Sequence, residues 1–198
     1  PTGPYDFYVV EPFVQSADIL LVPDRDGFST EWYRSFFTST LDSLEVDYDL
    51  WDTGRRGAPD SETLMLYSDG IVIWSVPFAG YFDDAHVRPN IEAYLDAGGK
   101  LFITGKDIGE YAQSTSLYQD YLHASFVQGS LDIHTLHGTP DDPIGHGLAL
   151  AISGGDGASN QWYPDEVDPL SPAVTSFTFD AAAQGNASPP AEEAGQMP

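Results

Sequence analysis

Residues 94–109 have the sequence YLDAGGKLFITGKDIG, in which one helix ends, a strand follows and another helix begins. The first helix is predicted from Val87 to Ala97, and the Gly98-Gly99 pair after it can adopt the left-handed conformation that ends helices. The apolar run from Lys100 to Gly105 is typical of a buried strand. This stretch therefore predicts a helix–strand–helix unit of an α/β protein.

The same alternation extends toward the N-terminus. Three further apolar runs predict strands, and two stretches predict helices: the strands are Ala17–Pro23, Val46–Trp51 and Gly70–Val76, and the helices are Ser29–Leu44 and Ser61–Tyr67. Strands that alternate with helices form parallel sheets through right-handed crossovers, with helices on both faces. The predicted fold class is therefore α/β with a mostly parallel sheet.

The remaining segments give the predicted domain boundaries. Residues 1–16 are an irregular lead-in with three prolines, and residues 17–180 are predicted to form one domain. In its second half, a shorter fifth strand is predicted at His123–Val127, followed by an irregular, acidic segment over residues 128–175. Residues 181–198 are rich in Ala, Gly, Pro and Glu, which predicts a flexible linker or tail.

The composition excludes several classes of function. The 198 residues include 31 Asp or Glu, seven Lys or Arg and no cysteine, and the formal net charge is −24. Nucleic-acid binding is excluded because phosphates are neutralised by Lys and Arg clusters. Membrane insertion is not expected, since no apolar run approaches the roughly 18 residues of a span. Without cysteine there is no thiolate nucleophile. Because the chain begins at Pro1 without Met, we expect a processed protein or an excised domain.

Aspartates directly follow the predicted strands. Asp24 and Asp26 come after the first strand, and Asp107 comes after the strand that ends at Gly105. Because ligands of open parallel sheets bind at the carboxyl ends of the strands, these side chains are candidate ligands for Ca²⁺ or Mg²⁺. Aspartate is also common at such places as a turn former or helix cap, and the sequence leaves both interpretations open.

The segment Gly105-Lys106-Asp107-Ile108-Gly109 has the glycine spacing of a nucleophile elbow, a strained turn between a strand and a helix. Asp107 stands at the nucleophile's position with Lys106 beside it, so these two are the candidate catalytic residues. A carboxylate nucleophile needs a base for turnover. The available bases are His123, His137 and His146. The alternative, which the sequence favours, is that Asp107 caps the following helix.

Three fragments resemble the haloacid-dehalogenase superfamily: residues 24–27, 104–106 and 155–160. The resemblance implies an aspartyl nucleophile at Asp24, acid–base help from Asp26, phosphate contact by Thr104 and Mg²⁺ bound with Asp156. That family also has a phosphate-binding Lys or Arg between the last two motifs, but residues 107–198 contain neither. The charge that develops on a transferred phosphoryl group would therefore be poorly balanced.

A larger set of segments resembles the class I glutamine amidotransferase-like accessory domains of secreted multidomain proteins, which occur beside immune-inhibitor-A-type and subtilisin-type peptidases. The matching residues are 19–27, 48–52, 94–109, 121–124, 142–145 and 153–158. The resemblance implies a flavodoxin-like three-layer sandwich. Catalytic members of the wider group carry cysteine in the elbow, where this chain has Asp107. The resemblance therefore does not imply amidotransferase activity.

From these observations we expect a non-catalytic accessory or interaction domain of a larger secreted or extracellular protein. Its expected partners are other domains of the same parent chain, and no cofactor is required, although Ca²⁺ or Mg²⁺ is possible. One alternative is a carboxylate-dependent hydrolase that uses Asp107 or the Asp24/Asp26 pair. Another is a binding module stabilised by a divalent cation.

Overall fold

The computed structural model describes residues 10–24, 30–76, 84–105, 107–129, 131, 133, 135–152 and 164–179. The chain divides into two compact units, Pro1–Gly105 and Lys106–Pro198. The predicted boundaries of a single 17–180 domain remain a prediction, and the predicted tail at 181–198 lies outside the described residues.

The first unit is an α/β sandwich with a four-stranded, all-parallel sheet in the order β2-β1-β3-β4. Its elements are β1 (Ile19–Pro23), α1 (Thr30–Ser43), β2 (Asp49–Leu50), α2 (Thr53–Arg56), α3 (Ser61–Met65), β3 (Ile71–Val76), α4 (Arg88–Asp96) and β4 (Leu101–Gly105). The predicted α/β class with a parallel sheet is thus confirmed, and the arrangement is consistent with a flavodoxin-like sandwich. β2 is shorter than predicted, because only Asp49 and Leu50 pair with β1.

The core of the first unit lies on the two central strands and on the helices that cover them. Leu20, Leu21 and Val22 of β1 are fully buried, as are Val72 and Val76 of β3. The helix end predicted at Gly98 is confirmed by its left-handed φ of 88°. These strands are buried because each lies between two parallel neighbours, which explains their continuous apolar sequence.

The second unit contains two small antiparallel sheets, ordered β5-β8 and β7-β6-β9. Its elements are α5 (Ile108–Ala112), a π-helical turn (Leu117–Tyr121), β5 (Ala124–Gln128), β6 (Thr135–Gly138), β7 (Ala149–Ala151), β8 (Glu166–Pro169) and β9 (Phe177–Phe179). The predicted fifth strand is present as β5, but it pairs with β8 and not with the parallel sheet. Val127 of β5 is half-exposed, which fits a two-stranded antiparallel sheet with one face open to solvent. A strand of a parallel sheet would be buried on both faces. In the described part of the chain, no helix is long and apolar enough to cross a membrane.

A buried carboxylate fixes the start of the first unit. Asp49 accepts hydrogen bonds from the Ser16 amide at 2.8 Å, the Ser16 hydroxyl at 2.5 Å, the Ala17 amide at 3.0 Å and the Tyr67 hydroxyl at 2.6 Å. Burial alone would raise the pKa of Asp49, but these donors outweigh it and the pKa is lowered. The lead-in, β2 and the segment after α3 therefore meet at one ionised side chain.

We expect Asp49→Asn to lower the free energy of unfolding by about 1–3 kcal/mol at neutral pH. The side-chain NH₂ group of asparagine would replace one of the two acceptor oxygens and would face hydrogen-bond donors. A carboxyl group whose pKa is lowered on folding stabilises the fold above its unfolded pKa and loses that contribution as the pH falls through its folded value. The difference between wild type and Asp49→Asn should therefore shrink below about pH 4 in urea unfolding. The exposed Asp47→Asn is the matched control, and a difference that does not change with pH would contradict the assignment.

Candidate functional site

The turn after β4 has the backbone of an elbow. Asp107 has φ 59° and ψ 20°, in the left-handed region that non-glycine residues rarely adopt. A methyl group on Gly105 would lie 2.1 Å from the Val76 carbonyl oxygen, so only glycine fits where β4 ends beside β3. The sequence prediction of a strained turn that requires small flanking residues therefore agrees with the geometry.

The interpretation of Asp107 as a side-chain cap of the next helix is wrong. Asp107 stands at the N-cap of α5, but its side chain makes no capping hydrogen bond. Instead, Asp165 Oδ2 accepts hydrogen bonds from the Gly109 amide at 3.1 Å and from the Glu110 amide at 3.3 Å. Asp165 is 56 residues from Gly109 along the chain. Two amides in the first turn of α5 are thus occupied by a carboxylate that no local motif indicates.

Three carboxylates meet at this position. Ligand oxygens of Asp107, Glu110 and Asp165 all lie within 4.8 Å of one another, and the group contains no histidine. Glu110 is exposed, whereas Asp107 and Asp165 are half-buried. The Asp-x-x-Glu spacing of Asp107 and Glu110 is a sequence signal that could have indicated this pair. Asp165 could not have been found, because only the tertiary fold brings it to α5.

Two small residues define the space around Asp165. A methyl group on Gly109 would lie 3.1 Å from Asp165 Oδ2, 2.9 Å from Tyr118 Oη and 2.9 Å from the Phe126 ring. A methyl group on Gly129 would lie 3.1 Å from Asp165 Oδ1 and 3.9 Å from Glu110 Oε2. Asp165 therefore directs one oxygen to the α5 amides and the other toward the Glu110 carboxylate.

Two buried oxygens in this region have no hydrogen-bond partner within the described chain. They are Asp165 Oδ1 and the hydroxyl of Tyr118, a side chain that is only 3% exposed. Burial raises the pKa of Asp165 to about 6; the charges of Asp107 and Glu110 also raise this pKa, while the two amide bonds lower it. Burial, with the charge of Asp165 added, raises the pKa of Tyr118 to about 12. Three acidic side chains thus lie close together, and the pKa of one of them is raised.

The candidate site at the end of β1 is different. Asp24 is 3% exposed, its Oδ2 accepts from Trp74 Nε1 at 3.2 Å, and its amide donates to the Ser75 carbonyl oxygen at 2.8 Å. Asp26 and Lys106, the other two candidate residues, lie outside the described residues, as does Asp156. The convergence of Asp24, Asp26 and Asp107 on one cation stays a prediction. Asp24 itself is a buried acceptor within the β1–β3 packing.

Comparison of the chain with protein-family models, curated protein sequences and solved structures finds no match. The amidotransferase-like resemblance therefore stays a prediction.

The left-handed turn predicts an unusual order of stability for two substitutions of Asp107. Asp107→Gly and Asp107→Ala both remove the carboxylate, but only glycine adopts positive φ without steric cost. We expect Asp107→Gly to be more stable than Asp107→Ala by about 1 kcal/mol in chemical denaturation. If alanine were equally or better tolerated, the left-handed conformation would be contradicted.

Proposed function

We propose that this chain is a non-catalytic accessory or interaction domain of a larger extracellular protein, built on an elbow without a working nucleophile. The observation that carries this proposal is the pair of hydrogen bonds from the Gly109 and Glu110 amides to Asp165 Oδ2. In a catalytic elbow, the backbone amide that follows the nucleophile helps to form the oxyanion hole. Here Asp165 Oδ2 accepts from the next two amides along α5, those of Gly109 and Glu110, so an oxyanion near this turn would face an internal carboxylate.

The charge around the elbow supports the same conclusion. Acyl transfer develops negative charge on the substrate oxygen, which active sites stabilise with donors aimed at that oxygen. Beside Asp107, however, the groups that meet are the carboxylates of Glu110 and Asp165. An oxyanion formed there would be repelled by its neighbours. The absence of cysteine from the chain removes the thiolate chemistry of related catalytic folds as well.

The remaining parts of the proposal rest on composition and on the family resemblance. A net charge of −24 keeps a chain in solution through self-repulsion and disfavours nucleic-acid partners. The resemblance to accessory domains of secreted multidomain proteins suggests that the partners are other domains of the same parent chain. In this proposal no cofactor is required and no membrane insertion is involved.

A carboxylate-dependent hydrolase is the second candidate, and one observation favours it. The pKa of Asp165 is raised to about 6, and the Asp107 and Glu110 carboxyl groups lie beside it. Neighbouring carboxyl groups with different pKa values can divide the roles of acid and base between them. Against the hydrolase, Asp165 already accepts hydrogen bonds from two backbone amides. The phosphatase-like variant with Asp24 is less favoured, because a nucleophile has to reach its substrate and Asp24 is 3% exposed.

We expect the purified chain to release no product from glutamine, p-nitrophenyl acetate or p-nitrophenyl phosphate with Mg²⁺, above the rate without protein. The reason is that the Asp165 carboxylate occupies the Gly109 and Glu110 amides next to the elbow, and an anion that develops there would be repelled. Asp107→Asn and Asp24→Asn serve as active-site controls, and the exposed Asp168→Asn serves as a matched surface control. Turnover that is lost in Asp107→Asn or Asp24→Asn, but kept in Asp168→Asn, would establish the hydrolase instead.

The accessory role also predicts binding within the parent protein. Neighbouring domains of that protein, added to the isotope-labelled chain, should shift a contiguous set of amide NMR signals. An inert chain whose signals are unchanged by every neighbouring domain would contradict the interaction role while leaving the lack of catalysis intact.

A further inference from the structure

We propose that Asp107, Glu110 and Asp165 form a binding site for Ca²⁺ in the second unit. This proposal goes beyond the accessory role and does not depend on it. It also differs from the sequence expectation of a cation at Asp24 and Asp26, since two of the three ligands are new.

The arrangement of Asp165 provides the first reason. Its Oδ2 is satisfied by the α5 amides, whereas Oδ1 is buried without a hydrogen-bond partner within the described chain. Oδ1 lies close to the Glu110 carboxylate. A methyl group placed on Gly129 would be 3.1 Å from Asp165 Oδ1 and 3.9 Å from Glu110 Oε2, so both oxygens border the same space. Two carboxylate oxygens that face one space are stabilised by a positive charge between them.

Tyr118 provides a second, independent reason. Its hydroxyl is buried on a side chain that is 3% exposed, and within the described chain it has no hydrogen-bond partner. The hydroxyl and Asp165 Oδ2 lie 2.9 and 3.1 Å from a methyl group placed on Gly109, so the hydroxyl lies beside the Asp165 carboxylate, whose charge adds to the effect of burial in raising the pKa of Tyr118. Buried polar groups without a protein partner are normally satisfied by ordered water or an ion. A water molecule bound to the cation would satisfy this hydroxyl.

The chemistry of the ligands favours Ca²⁺ over Mg²⁺. Ca²⁺ binds carboxylate oxygens at about 2.3–2.6 Å in flexible geometries, whereas Mg²⁺ requires nearly ideal octahedral geometry at about 2.0–2.1 Å. The three oxygens lie within 4.8 Å of one another. Ca²⁺ prefers six to eight ligands, and the exposed Glu110 leaves water access for the rest. A site completed by water should bind weakly, with Kd about 10⁻⁴–10⁻³ M.

The test is calcium titration followed by calorimetry and thermal unfolding at pH 7.5 and constant ionic strength. Constant ionic strength is essential because any salt screens a chain of charge −24. We expect one Ca²⁺ per chain, and a rise in Tm of about 3–6 °C when Ca²⁺ is at about ten times its Kd. Asp165→Asn and Glu110→Gln should each reduce the affinity at least tenfold. Asparagine keeps an acceptor for the two amides, and Glu110 is exposed, so both variants should fold.

The exposed Asp168→Asn on β8 is the matched control and should bind Ca²⁺ like the wild type. Equal Ca²⁺ responses in wild type, Asp165→Asn and Glu110→Gln would mean diffuse screening and would overturn the proposal. The proposal would also be overturned if Ca²⁺ did not change the Tm of the wild type and Asp165→Asn had a higher Tm than the wild type. That result would mean that a shared proton, and not Ca²⁺, stabilises the neighbouring carboxylates.

Discussion

Aspartate carboxylates in this protein are held by neutral hydrogen-bond donors, and the packing of both units depends on those bonds. With 31 acidic and seven basic side chains, most carboxylates have no basic side chain available to pair with. Asp49 therefore accepts from amides and hydroxyls, and Asp165 accepts from the amides that begin α5. Asp142 repeats the pattern with the Ile144 and Gly145 amides and the Ser176 hydroxyl.

The number of donors around each carboxylate decides whether it is purely structural. Both oxygens of Asp49 are occupied by donors, and its pKa is lowered although the side chain is buried. Asp165 has donors on one oxygen only, and its pKa is raised by burial and, to a smaller extent, by the charges of Asp107 and Glu110. Among the described residues, both oxygens of Asp49 thus have donors, whereas Asp165 Oδ1 has no hydrogen-bond partner.

The sequence predicts the features that depend on local pattern. Apolar runs identified β1, β3 and β4, and Gly98 marked the end of α4, because burial and backbone conformation act residue by residue. The antiparallel pairing of β5 with β8 was not predictable, since it joins segments that are separated by loops without a repeating pattern. The role of Asp165 was missed for the same reason: its partners lie 55 and 56 residues away, and its own neighbours contain no motif.

The elbow separates geometry from chemistry. Gly105 is required by the Val76 carbonyl oxygen, and Gly109 by the Tyr118, Phe126 and Asp165 side chains, so neither glycine depends on what residue 107 does. A Gly-x-x-x-Gly spacing therefore predicts a turn, and the charge around the turn determines its use. Where donors face an open space, an anion is stabilised; where an internal carboxylate occupies those donors beside other acids, a cation is favoured instead. The same backbone can thus support opposite electrostatics, which is why the glycine spacing left catalysis and helix capping as alternatives and the use of the turn depends on its tertiary contacts.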